Sequence, residues 1–289
     1  MIRFPVYFKQ ELPCRDTFAK LAYLKEKGIN TVCVSAACPN LTACFRSGAV
    51  TFMILGDVCS RGCLFCAVKK NRQLKAPHPQ EPERIVNVAK ALGLRYIVIT
   101  SVTRDDLPDH GAGHFANVVS NLHKNLCGVK IELLIPDFQA RCQLLKQVVD
   151  TQPAIIGHNL ETVWRLYKEV RPQADYFISL RVLENIKRLN PKIFTKSSLI
   201  LGMGEKESEV VEVLKDLRKV NCDILTLGQY LSPSKNHYPI KEFISLEQFD
   251  YYRQVALSLG FKAVLAGPLV RSSYKAEEIY NEVSRCMNS

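Results

Sequence analysis

From residue 51 onward, short apolar runs alternate with amphipathic helical patterns, and this rhythm limits the chain to very few folds. The apolar runs are Thr51–Leu55, Tyr96–Thr100, Lys130–Pro136, Ala154–Gly157, Ser198–Leu201, Ile224–Leu227 and Lys262–Ala266. Helical patterns fall at 82–92, 113–126, 138–150, 161–170, 175–189, 206–220 and 246–259. Near-continuous apolar strands between helices are the mark of parallel strands covered by helices. The βα unit recurs about six times, so the expected class is α/β with a partial (β/α)6 TIM-like barrel. A doubly wound sheet is the alternative. In both, chemistry sits at the C-terminal ends of the strands.

Residues 1–50 do not share the rhythm. A helix is expected from about Thr17 to Lys27, stopped by Gly28 in a left-handed conformation. The stretch after it, dense in Cys, Pro, Asn and Thr, reads as a loop. The expected division is an N-terminal extension over 1–50, a barrel over 51–266 and a C-terminal segment over 267–289. The stretch Lys69–Pro82, with Pro77, Pro79 and Pro82, is a loop leading into the first barrel helix.

With 47% hydrophobic and 23% charged residues, the chain has the balance of a packed globular protein and not of a disordered one. No run reaches the ~18 apolar residues that span a bilayer, so no membrane association is expected. The formal charge of +11 suits nucleic acid, anionic membrane or an acidic protein. The excess is spread along the chain, however, so it reads as a solvated surface and does not choose the function. Met1 to Leu12 carries Arg3 and Lys9 in a short apolar stretch, without a long apolar core or a small-residue cleavage site. The expected compartment is therefore the reducing cytoplasm. There, 11 cysteines, an odd number, suggest metal and not a disulfide framework.

Cys59, Cys63 and Cys66 form C-x3-C-x2-C directly after the first strand, on a loop where a barrel carries its chemistry. Three thiolates can hold three irons of a 4Fe–4S cube and leave the fourth open, as a catalytic metal requires. Buried thiols or a zinc site are the alternatives, but zinc sites usually supply four ligands in two pairs. Cys33, Cys38 and Cys44 form a second set, C-x4-C-x5-C, just upstream. Six cysteines are too few for two conventional four-Cys clusters, so each cluster needs an open iron or a different ligand.

The first triplet, with Phe65 before its last cysteine, resembles the radical S-adenosylmethionine superfamily. That resemblance implies that the open iron chelates S-adenosylmethionine and that one electron from the cluster yields a 5′-deoxyadenosyl radical. The two triplets together resemble the lipoyl synthase family, and the likeness runs over nearly the whole chain. It includes Thr31-Val32-Cys33, Cys38-Pro39-Asn40, 52–56, 100–107, 158–163, 228–231 and the Arg271-Ser272-Ser273-Tyr274 motif. The resemblance implies two 4Fe–4S clusters, the second closed by Ser273. It also implies a radical sulfurtransferase of lipoate biosynthesis that inserts sulfur at carbons 6 and 8 of a protein-bound octanoyl-lysine. The implied partners are octanoylated lipoyl carrier domains or a glycine cleavage H-type protein, a ferredoxin or flavodoxin electron donor, and Fe–S assembly proteins, with no nucleic acid and no membrane. Read from the residues alone, Ser273 is a helix N-cap ahead of Glu277 and Glu278. An alkoxide is also a hard ligand for a soft site, hence a labile one. The family's acidic residues between the first two auxiliary cysteines and before the third are replaced here by Val34-Ser35 and Ala43. Charge around a cluster tunes its potential.

Another sulfur-inserting radical enzyme, methylthiolating or biotin-type, is an alternative; a two-cluster electron carrier is another. For the cosubstrate, Gly202 and Glu205 in Gly202-Met203-Gly204-Glu205 look like the superfamily's strand-end glycine motif, an ordinary βα turn being the alternative. Thr100 and Ser101 are placed to bond its methionine part, and Asn159 and Lys196 to make polar contacts at later strand ends. His110 and His114 flank loop glycines and are expected to play surface or supporting roles. Trp164 is expected in the core, and Cys14, Cys127, Cys142, Cys222 and Cys286 are expected to be free buried thiols. Lys69, Lys70, Arg72 and Lys75 form a basic run that suits either an acidic carrier domain or solvent.

Overall fold

The computed structural model describes residues 5–10, 12–71 and 73–285. Arg3 in the opening stretch, Arg72 in the basic run and Cys286 among the free thiols lie outside the described residues. A short 3-10 turn, Val6–Phe8, precedes helix α1, Arg15–Glu26. The segment expected to be a loop instead forms two short helices, α2 (Val32–Ser35) and α3 (Leu41–Arg46). Helices of one or two turns are too short to show a periodic pattern and rely on tertiary packing. For α2, the Thr31 hydroxyl caps the first turn by accepting from Val34 N at 3.4 Å.

The seven apolar runs become seven parallel strands of one sheet: β1 (Thr51–Ile54), β4 (Tyr96–Ser101), β5 (Lys130–Leu134), β6 (Ile155–Gly157), β7 (Phe194–Leu201), β8 (Ile224–Gln229) and β9 (Ala263–Gly267). They pair in chain order, β1-β4-β5-β6-β7-β8-β9, so each crossover joins neighbours, as in a barrel. A doubly wound sheet would reverse its order midway, and this one does not. A two-stranded ribbon after β1, β2 (Val58–Cys59) with β3 (Lys69–Lys70), has no apolar run and is not legible in the sequence.

The covering helices are α4 (Glu81–Ala91), α5 (Ala112–Asn125), α6 (Cys142–Val149), α7 (Tyr167–Val170), α8 (Tyr176–Leu189), α9 (Glu207–Lys219) and α10 (Leu246–Ser258), followed by α11 (Ala276–Arg285). Two differ from expectation. The pattern at 138–150 starts as a helix only at Cys142, because Phe138, Gln139 and Ala140 adopt positive φ. That left-handed turn is held by Asp137, which accepts from Gln139 N at 3.0 Å, and by Asn185, which donates to the Ala140 carbonyl. The pattern at 161–170 is only a 3-10 turn (Trp164–Leu166) and α7.

The sheet remains open between β9 and β1. The N-terminal and C-terminal segments meet across that gap: Asn40 Nδ2 donates to the Leu269 carbonyl, and Thr51 Oγ1 donates to Ser273 Oγ at 3.0 Å. Gly228 in β8 permits the close approach, since a Cβ there would collide with the Val270 carbonyl. Two residues depart from the expected core. Trp164 is 64% exposed and its ring lies 6.4 Å from that of exposed Phe177. Of the five cysteines without ligand spacing, Cys222 is buried, while Cys127 and Cys142 are exposed and Cys14 is intermediate. Among the described residues no helix is long and apolar enough to cross a membrane.

Lys196 does not reach a strand end. It lies in the first half of β7, fully buried, 2.7 Å from Glu132 Oε1, and Tyr96 OH bonds the other carboxylate oxygen at 2.7 Å. A buried pair broken on one side leaves an uncompensated charge. Lys196→Ala is therefore expected to lower unfolding free energy by about 3–5 kcal/mol in urea titrations. A Lys196→Met, Glu132→Leu double variant should recover most of that loss; equal losses in single and double variants would contradict the pairing.

Candidate active site

The C-terminal ends of the strands border a cavity of about 550 Å³. All six paired-triplet cysteines line it: Cys33, Cys38 and Cys44 on the N-terminal side, and Cys59, Cys63 and Cys66 after β1. Ser273, Phe65, Thr100, Ser101 and Asn159 line the same cavity. Gly202 and Glu205 do not line it, and Lys196 is buried within β7 in its pair with Glu132. The open side of Gly202 is filled by Gln229 Nε2 and the Glu242 carbonyl, so its missing Cβ serves internal packing. Glu205 accepts from Gly202 N and Met203 N at 3.0 and 2.9 Å and from Thr162 Oγ1 at 3.0 Å, which fastens the turn to itself. Sequence spacing gives the end of a strand but not which side of it faces the barrel interior.

The loop carrying the first triplet is stitched to the segment after β4. Ser60 N and Ser60 Oγ both donate to the Thr103 carbonyl, each at 3.0 Å. Arg61 forms a bidentate pair with Asp105, at 2.7 and 2.8 Å, and a second pair with Asp137. Cys59 Sγ accepts from Arg61 N and Thr103 N, both at 3.4 Å, the arrangement that suits a thiolate. Lys70 Nζ donates to the Cys63 carbonyl at 2.8 Å, so part of the basic run holds this loop. Lys69 instead pairs with Asp57 on the surface. Burial would raise the Asp137 carboxyl, but the hydrogen bonds and charge of Arg61 prevail and hold it at about 2. The left-handed turn at 138–140 aims Asp137 at this arginine. Neither the turn nor the clamp has a sequence signal beyond the charges themselves.

Cys33 is buried and the other five are half-buried, and burial is the chief reason that Cys66 is pushed up to about 11 and Cys44 to about 12. Burial also raises Cys33 and Cys63, the latter opposed by the Arg171 charge. Thiols in such a setting ionise when a metal supplies the compensating charge. Among the described residues no three His, Cys, Asp or Glu side chains are grouped to hold one metal ion. A cube seats each thiolate on its own iron, which asks for wider spacing than a single ion does. The donor chemistry therefore fits iron–sulfur clusters. Val34 and Ala43, which stand where the resembled family has acidic residues, are solvent-exposed, so those departures lie on the outer face.

The far wall is polar and buried. Arg171 donates from Nη1 to the Asn159 and Leu160 carbonyls and to Tyr167 OH, at 3.1, 2.9 and 3.0 Å. Asn159 Nδ2 donates to Glu161 Oε1 at 2.9 Å, and Ser272 Oγ donates to Asn159 Oδ1 at 3.2 Å. Burial raises the Glu161 carboxyl, opposed by Arg171 and, more weakly, Arg271. Three buried polar atoms on cavity residues have no protein partner: Ser101 Oγ, His158 Nε2 and Arg171 Nε. Such orphans in a concave wall suit a polar ligand. Ser273 is not a helix cap. Helix α11 begins only at Ala276, and the Ser273 oxygen instead accepts from Thr51. His114 pairs with Glu81 at 2.7 Å and His110 lies 3.5 Å from Asp105, the supporting roles expected of them.

The sequence profile of the Radical SAM superfamily matches residues 53–217. A curated lipoyl synthase of Caldanaerobacter subterraneus is 49% identical over 281 residues, covering 96% of each chain. One from Methanocella arvoryzae is 47% identical over 281 residues, covering 96% of this chain and 95% of that one. Among solved structures, methylornithine synthase superposes with a TM-score of 0.54 at 14% identity, over 74% of this chain and 70% of its own. A maturase of FeFe-hydrogenase does so with a TM-score of 0.56 at 13% identity, over 81% and 62%. The two structures speak for the fold alone.

His158 donates from Nδ1 to the Ile135 carbonyl at 2.9 Å. Burial, then the Arg171 charge, depress its pKa from 6.5 to about 4, so it is neutral in the fold. For a depressed pKa, its contribution is full above the unfolded value and is lost as pH falls toward the folded one. Each pH step below 6.5 is expected to cost about 1.4 kcal/mol until 4 is reached. Guanidinium titrations at pH 7.5 and 5.5 check this: His158→Gln should lose less stability over that range than the parent. Equal losses in both proteins would contradict it.

Proposed function

The chain belongs to the lipoyl synthase family of radical SAM sulfur-inserting enzymes, and from that premise we propose how its residues divide the work. Cys59, Cys63 and Cys66 hold a 4Fe–4S cube with one open iron, and Cys33, Cys38, Cys44 and Ser273 hold a second. When bound, the first cube with S-adenosylmethionine supplies a carbon-centred radical and the second supplies sulfur. The observation that carries this reading is that both triplets and Ser273 open onto one cavity.

The substrate chemistry demands such a site. Carbons 6 and 8 of an octanoyl chain are unactivated, and no side chain has the basicity to remove their hydrogens. The protein's share is therefore positioning and exclusion of water. The Arg61 clamp to Asp105 and Asp137 fixes the first triplet. Met53, Val68, Leu134, Ile135 and Ile200 give the cavity an apolar wall that suits an acyl chain. Thr100 and Ser101, at the end of β4, and Asn159, after β6, are the polar groups we assign to the cosubstrate, with Phe65 beside them. The unpartnered Ser101 Oγ supports this assignment. Arg171, buried, and Arg271, half-buried, bring positive charge to a site that gathers thiolates.

In this reading residues 1–50 form the extension for the second cluster, 51–266 the barrel and 267–289 the segment that closes the gap. The carrier of the octanoyl group is a lipoyl carrier domain or a glycine cleavage H-type protein. A ferredoxin or flavodoxin supplies electrons, assembly proteins supply clusters, and the compartment is the cytoplasm. Two measurements test the proposal. Anaerobically reconstituted protein should hold about eight irons, falling to about four in Cys33→Ala. Mass spectrometry of an octanoyl-lysine peptide after turnover should show two added sulfurs with the parent and none with that variant. An unmodified peptide with the parent, or four irons in both proteins, would overturn it.

A further inference from the structure

Thr51 opens β1 as a buried residue, 6% exposed. A strand there asks for a β-branched residue, and valine would meet that need without a polar atom. A buried hydroxyl costs stability unless it is bonded. Here it is bonded to a residue from the far end of the chain. Thr51 Oγ1 donates to Ser273 Oγ at 3.0 Å, across 222 residues of sequence. A hydroxyl has only one proton to donate, and this one goes to Ser273. Thr51 thus holds the oxygen assigned to the second cluster.

We infer that Thr51 is a positioning residue for Ser273, holding its oxygen in the bound form that closes the second cluster. The inference rests on the reading of Ser273 as a ligand. Its physical basis is the difference between two acceptors. A hydrogen bond to an ionised oxygen is about twice as strong as one to a neutral hydroxyl. Bound serine is an alkoxide and released serine is a neutral alcohol, so the Thr51 donor favours the bound form. It also holds one rotamer of a side chain otherwise free to turn. The lability of a hard ligand on a soft site is thereby governed by a neighbour and not only by the ligand itself.

The test uses full-length protein in which Cys59, Cys63 and Cys66 are replaced by alanine, so that all bound iron belongs to the second cluster. After anaerobic reconstitution, the rate at which a ferrous chelator removes iron is measured. Thr51→Val should lose iron roughly tenfold faster than this parent, the effect of removing one hydrogen bond to a charged group. Thr51→Ala should match Thr51→Val, and Thr51→Ser, which keeps the donor, should restore the parent rate. Ser273→Ala should be at least as fast, and adding Thr51→Val to it should change nothing further.

An unchanged rate in Thr51→Val, or a Thr51→Ser as fast as Thr51→Val, would overturn the inference. So would acceleration by Thr51→Val on top of Ser273→Ala, which would place the effect at a group other than Ser273. If Ser273→Ala keeps the parent rate, the ligand assignment itself falls and the inference with it. A fast Ser273→Ala beside an unchanged Thr51→Val would sink the inference alone.

Discussion

A thiol buried in protein does not ionise without positive charge beside it, and this constraint shapes the whole upper face of the barrel. Six cysteines face one cavity, and burial drives Cys44 and Cys66 well away from ionisation. The surrounding residues answer that need in two ways. Backbone N–H groups point at Cys59. Arg171, buried, lies near Cys63, and Arg271, half-buried, near Cys38, and both act on Glu161. Such a wall is costly to fold empty and is relieved when iron takes the thiolates, so cluster binding and folding stability are coupled.

The incomplete barrel makes this arrangement possible. Because β9 does not pair with β1, the segment over 29–50 and the segment over 268–274 meet in the gap. Residues separated by most of the chain length become neighbours there, as Thr51 and Ser273 do. A closed barrel would leave no such opening. Both triplets line the one cavity bordered by the strand ends.

The fold was legible because its strands are apolar runs of the right length and its helices carry a strong period. The grouping of the two cysteine triplets was legible from their spacing, and both line one cavity, although Cys33 and Cys44 sit on short helices and not on a loop. What escaped the sequence is instructive. Helices α2 and α3 are too short to show a period, and the left-handed turn at Phe138–Ala140 hides inside a helical pattern. Lys196 carries a charge near a strand end but lies too deep in β7 and is taken by Glu132, a partner 64 residues away. Glu205 and Gly202 resemble a cosubstrate motif yet serve their own turn. Trp164, read as core from its size, lies outside because its segment is a surface 3-10 turn. In each case the deciding contact is long-range or depends on which face of an element a residue occupies.

The account stands on two separate iron centres sharing one cavity. Anomalous scattering at the iron edge, from crystals grown without oxygen after reconstitution, tests it most directly. The expected result is two compact iron peaks, one touching the sulfurs of Cys59, Cys63 and Cys66, the other those of Cys33, Cys38 and Cys44 together with the Ser273 oxygen. A single iron peak, or a second peak whose fourth ligand is not Ser273, would contradict it.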